Sequence, residues 1–100
     1  MAYVVKIALS KPASASWFYQ SSTAAVATLA NIAAWNIAQT GYLDSVGQML
    51  TPNSHVTLMI FDTMANGEAW VTARLTQADN ATREAYYAAQ GIIEMITTYS

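Results

Sequence analysis

The stretch GYLDSVGQMLTPNSHVTLMIF, Gly41 to Phe61, decides how the rest of this chain is read. Alanine, abundant before Gly41, does not return until Ala65, and β-branched, aromatic and long apolar residues replace it, the composition of strands. Tyr42–Leu50 and His55–Asp62 read as two strands. Between them, Thr51-Pro52-Asn53-Ser54 has the order a four-residue turn favours, with Pro fixing φ and Asn tolerating a left-handed backbone. The segment is therefore a β-hairpin.

Upstream, Thr23–Gln39 reads as a helix, with Ser21 or Ser22 as N-cap and Gly41 just past its end. Val26, Leu29, Ala30, Ala33 and Ile37 recur at helical intervals and predict the stripe that lies on a sheet; Ile32 widens it and Trp35 sits on another flank. Tyr3–Leu9 reads as a strand that Ser10-Lys11-Pro12 ends. Ala13–Ser22 has no helical period and is expected to be an extended connection anchored by Trp17-Phe18-Tyr19.

Downstream, Thr63–Gln77 is helical, with Thr63 or Asn66 as possible caps; Asp79-Asn80 interrupts or restarts it, and Ala81–Gln90 continues to Gly91. Ile92–Tyr99 suits helix or strand by period, and its Gly91 boundary and β-branched content favour a strand.

The order is β-α-β-β-α-β within one α+β domain, residues 1–100. This is the ferredoxin-like plan, a four-stranded antiparallel sheet with two helices on one face. The first and third strands, the most continuously apolar, are expected to be central and to run parallel, with Tyr42–Leu50 on an edge.

Composition sets the limits. One hundred residues that are 54% hydrophobic and 10% charged can bury about two-thirds of their unfolded surface, enough for a core without metal or disulfide. A formal charge of −2 without charge runs argues against nucleic acid or anionic lipid as a partner. The first residues are too short an apolar run for a signal peptide or a membrane span, so the expected location is cytoplasmic or virion. A surface coated with neutral polar residues costs little to desolvate, which points to self-association or to neighbouring structural proteins.

The strands carry apolar groups at both parities, whereas two helices cover only one sheet face. Val4, Lys6 and Ala8 of the first strand, with the aromatic trio Trp17, Phe18 and Tyr19, are therefore the candidate interface residues.

Candidate chemistry is sparse. His55 is the sole histidine and Cys is absent, so the ligands of a zinc site are lacking. His55 itself is expected at a solvent edge or interface. Glu94, within Ile92-Ile93-Glu94-Met95-Ile96, is either a half-buried acid or a cross-strand ion pair, with Lys6 as its nearest candidate partner. Arg74 and Arg83 with Trp70, Tyr86 and Tyr87 either line an anion-binding pocket or form surface ion pairs and core aromatics. No nucleophile elbow, phosphate loop or dinucleotide fingerprint occurs, and no cofactor is expected.

The hairpin closing on Phe61-Asp62-Thr63, then Glu68-Ala69-Trp70 and Arg83-Glu84-Ala85-Tyr86-Tyr87-Ala88-Ala89-Gln90-Gly91-Ile92, resembles the ferredoxin-like dimeric α+β-barrel superfamily, which includes antibiotic-biosynthesis-type monooxygenases. These segments also resemble small tailed-phage proteins. The first resemblance implies cofactor-free oxidation in a pocket between sheet and helices, sometimes using Asn, Trp or Arg, though no contiguous motif carries those roles to numbered positions. The second implies an oligomeric virion or assembly component. The expectation adopted is a non-enzymatic, oligomerising structural module of phage type. The alternative is a monooxygenase-like enzyme, which requires a pocket of about 300 Å³ or more with converging polar groups.

Overall fold

A computed structural model describes residues 2–100. The elements run β1 (Tyr3–Ser10), α1 (Phe18–Ser21), α2 (Thr23–Ile37), β2 (Tyr42–Thr51), β3 (Ser54–Phe61), α3 (Met64–Ala73), α4 (Ala78–Gln90) and β4 (Ile93–Tyr99). The four strands form one antiparallel sheet in the order β2-β3-β1-β4, so the chain has the ferredoxin-like α+β fold.

β1 and β3 are central but antiparallel, which corrects their expected direction. The hairpin imposes this: β3 reverses β2, and β2 itself runs parallel to β1 after the helical crossover, so β3 must oppose β1.

Facing residues share a side of an antiparallel pair. Tyr3 opposite Phe61 and Val5 opposite Met59 thus fall on the side that Trp70 of α3 covers, and these five with Ile7 form one buried core. A second core joins Trp17, Phe18, Ala25, Tyr87 and Ile92 where α1, α2 and α4 meet. Gly67 lets α3 approach β1 closely, since a Cβ there would collide with the Tyr3 ring.

Three helical expectations change. The sheet-facing side of α2 runs through Ala25, Leu29, Ile32 and Asn36, while Val26 and Ile37 point to solvent at 54% and 63% exposure. Apolar residues surround this Ala-rich helix on all sides, so its sequence does not decide which face turns inward. The break between α3 and α4 falls at 74–77, not at Asp79-Asn80. There the side chain of Gln77 caps α4, its Oε1 accepting from the Asn80 amide at 2.7 Å.

The expected extended connection contains α1. The Trp17 amide donates to Gln20 Oε1 at 3.0 Å, and the Trp17 indole donates to the Pro52 carbonyl of the hairpin turn at 3.1 Å. These bonds hold Trp17 and Phe18 inside the protomer, and only Tyr19 of the trio is exposed.

The opposite face of the sheet has no helix. Across it run Asp44, Ile60, Val4 and Tyr99, then Val46, Leu58, Lys6 and Thr97, then Gln48, Val56, Ala8 and Met95. Val46, Met95 and Tyr99 are at least half exposed. This antiparallel face lacks the polar alternation that a solvated one normally shows.

Candidate active site between sheet and helices

On the helix side, one row of the sheet reads Met49, His55, Leu9, Glu94 from β2 to β4, and all four side chains line a cavity of about 250 Å³. Ile7, Thr57 and Met59 complete its floor. Trp17 and Phe18, Leu29 and Asn36, Trp70, and Arg83 with Tyr87 wall it from α1, α2, α3 and α4 in turn. The lining is chiefly apolar and aromatic with a few polar groups aimed inward, the usual composition of a small-molecule site.

Trp70 and Asn36 join two walls: the indole Nε1 donates to Asn36 Oδ1 at 2.9 Å. Trp70 is 3% exposed, so this bond satisfies a donor that water cannot reach, and it fixes both side chains.

Beneath Trp70 lies Arg74, 1% exposed, its guanidinium carbon 5.4 Å from the indole centroid. Arg74 donates to both carboxylate oxygens of Glu94, Nη1 to Oε1 at 3.2 Å and Nη2 to Oε2 at 3.1 Å. The partner expected for Glu94 was Lys6, and the sheet forbids it: Glu94 faces Leu9 on the helix side, whereas Lys6 faces Thr97 on the other. Glu84 stands 3.6 Å from both Arg74 Nη2 and Arg83 Nε. Burial, and then the neighbouring Glu94 charge, push the Glu84 carboxyl above its usual range.

Arg83 donates to Asn80 Oδ1 at 2.9 Å and packs over the Tyr87 ring at 5.7 Å, while its Nε has no hydrogen-bond partner among the described residues. Burial raises the Tyr87 hydroxyl to about 12, so it remains a neutral phenol at the cavity wall. Of the group expected to form a pocket, Arg83, Trp70 and Tyr87 do so. Arg74 supports it from below, and Tyr86 turns away to donate to the Ser16 carbonyl at 2.6 Å.

His55, expected at a solvent edge or interface, is partly exposed. Its imidazole lines the cavity, edge-on to Trp17 with centroids 6.4 Å apart, and burial lowers its pKa below the ordinary 6.5. Sequence reasoning missed His55 and Asn36. The register Leu9–His55 would have placed the histidine, because Leu9 has the parity of the buried residues of β1. Val4, Lys6 and Ala8 lie on the helix-free face, away from the cavity.

No protein-family model matches this sequence, and no curated protein does. Among solved structures the chain is similar to SnoaB, a cofactor-independent oxygenase from Streptomyces nogalater, with 12% identity over 99% of this chain and 91% of that one and a TM-score of 0.66. It is also similar to a Deinococcus radiodurans protein described as an antibiotic biosynthesis monooxygenase, with 14% identity over 98% and 90% and a TM-score of 0.65. A dimeric ferredoxin-like protein of unknown function from Jannaschia sp. CCS1 matches with 10% identity over 95% and 97% and a TM-score of 0.57.

These likenesses are of fold. They overturn the expected phage virion or assembly role, because the matching structures are monooxygenase-type and ferredoxin-like proteins and none supports a phage origin. Among the described residues, no helix is long and apolar enough to cross a membrane.

Proposed function

We propose that this chain is a cofactor-independent oxygenase of small, flat, hydroxyl-bearing molecules, working as a homodimer. The observation that carries the reading is the 250 Å³ cavity with Asn36, His55, Thr57, Arg83 and Glu94 converging on an aromatic interior. At about 250 Å³ the cavity meets the expected convergence of polar groups but falls short of the expected volume of about 300 Å³, which restricts the ligand to one or two fused rings. The cofactor-independent character is carried over from SnoaB.

Ground-state dioxygen accepts electrons one at a time, so an organic substrate must first become electron-rich by losing a proton. In such a sequence a hydroxyl-bearing ring loses a proton, and an electron passes to dioxygen. The two radicals join through a new C–O bond at a ring C–H carbon. That carbon's hydrogen then leaves as a proton while the O–O bond breaks, and the departing oxygen with this proton and the hydroxyl proton makes water beside a ring carbonyl. Overall, a ring C–OH, a ring C–H and one O₂ give two ring C=O carbons and one H₂O. The protein's part is to exclude water, hold the ring against Trp70 and Trp17, and offer Arg83 to the developing oxyanion.

The helix-free face supports the dimeric part of the reading. It is largely apolar at its centre, where Lys6 is the single cation, and belongs to a fold for which a dimeric example is among the matching structures.

Oxygen uptake with a dihydroxynaphthalene tests the activity. Chelator-treated protein should consume dioxygen faster than the uncatalysed reaction, and Asn36→Ala should lose at least tenfold of that excess. Uptake equal to that of a protein-free control contradicts the proposal.

A further inference from the structure

We infer that His55 is the catalytic base of this site, taking the hydroxyl proton of a bound phenol or enol at Nε2. The inference rests on the proposed oxygenase reading and adds to it the group that makes the substrate electron-rich.

Three features of the geometry converge. Nδ1 lies 3.5 Å from Thr57 Oγ1, within reach of a hydrogen bond in which either atom can donate, and in the tautomer that carries its proton on Nδ1 the lone pair is on Nε2. Nε2 has no protein partner among the described residues. The Nε2–Cε1 edge lies over Gly47, where a Cβ would come within 3.3 Å of both atoms. Gly47 has no positive φ, so glycine here serves the space above it and not the backbone.

The ring's surroundings keep it neutral before substrate binds. Across β2 it faces Met49 and across β1 Leu9, neither of which titrates. Trp17 packs on it from the α1 segment, with Lys11 on that indole at 5.6 Å. The charged or titratable groups sharing its cavity are Tyr19 of α1, Arg83 and Tyr87 of α4 and Glu94 of β4, and Glu94 is already held by both terminal nitrogens of Arg74.

In the proton step the substrate O–H bond breaks, its electron pair stays on oxygen, and a new N–H bond forms at Nε2. The products are an imidazolium and a phenolate side by side. After dioxygen has reacted, the imidazolium returns that proton to the oxygen leaving as water, so His55 is regenerated.

The test uses para-nitrophenol, whose anion is yellow, and the Cε1 proton resonance of His55, which is unambiguous because the chain has one histidine. In the native protein the bound phenol should be at least about tenfold more acidic than the free one, and the Cε1 signal should move to the imidazolium position as the probe binds. His55→Gln should bind the probe uncoloured, and Gly47→Ala, which crowds Nε2, should weaken the colour change while leaving the fold intact. Yellow probe with an unmoved imidazole would mean that Arg83 alone holds the anion, and overturns the inference. So does a colourless bound probe. If the probe leaves the Trp17 and Trp70 indole signals unmoved, it does not enter the cavity, and the oxygenase reading falls with the inference.

Discussion

Trp70 Nε1 and Asn36 Oδ1 lie 2.9 Å apart, and this single bond ties α3 to α2 at the wall of the cavity. Asn36→Ala leaves a buried indole N–H without an acceptor. It should lower stability in urea by about 1–3 kcal/mol, the usual cost of orphaning a buried donor. An unchanged midpoint would show that water reaches the indole.

The two acids around Arg74 should respond differently to neutralisation. Glu94→Gln removes the bidentate partner of a guanidinium that is 1% exposed and should cost about 3–5 kcal/mol. Glu84→Gln should change stability at neutral pH by no more than about 1 kcal/mol.

The pH dependence of Glu84 has a definite sign. Its folded pKa is raised above the ordinary 4.5, so its contribution is fully present below 4.5 and is lost as pH rises through the raised value. Glu84→Gln should therefore gain stability relative to the native chain as pH rises above 4.5. Parallel stability curves measured across that range would contradict this.

Gly67→Ala sets two effects against each other. Alanine in a helix interior gains about 1 kcal/mol over glycine, but the new methyl group meets the buried Tyr3 ring, and overpacking costs about 1–3 kcal/mol. Because Tyr3 is wedged between α3 and the sheet, the clash should win, with a net loss on the order of 1 kcal/mol in thermal or urea unfolding. A gain would show that Tyr3 has room to move.

Val4→Asp places a charge in the middle of the helix-free face, between Ile60 and Tyr99. Sedimentation should find the native chain as a dimer and the variant as a monomer with native circular dichroism. A native monomer at high concentration would contradict the dimeric reading.

The fold could be read in the sequence because its decisive signals are local. Pro52-Asn53 marks the hairpin turn, Gly91 ends α4 with φ 72°, and strand parity alone shows apolar groups on both faces. The site could not be read so easily, because it depends on which residues meet across long separations. Arg74 and Glu94 are twenty residues apart and pair only once the β1–β4 register turns Glu94 toward the helices. Asn36 faces the cavity because α2 is rotated away from its Val26–Ile37 stripe, a choice made by packing against Trp70 and Tyr87 and not by the helix's own pattern. Trp17 and Phe18 look like exposed anchors until the Pro52 carbonyl and the Tyr86 hydroxyl draw their segment inward.

The three tryptophans give the most direct test, since Trp17 and Trp70 wall the cavity and Trp35 packs elsewhere against the core. Indole N–H resonances should be followed while a dihydroxynaphthalene is titrated into the native protein. Saturable shifts at Trp17 and Trp70 with Trp35 unmoved are the predicted result; signals that stay still at both cavity residues would contradict a small-molecule site between sheet and helices.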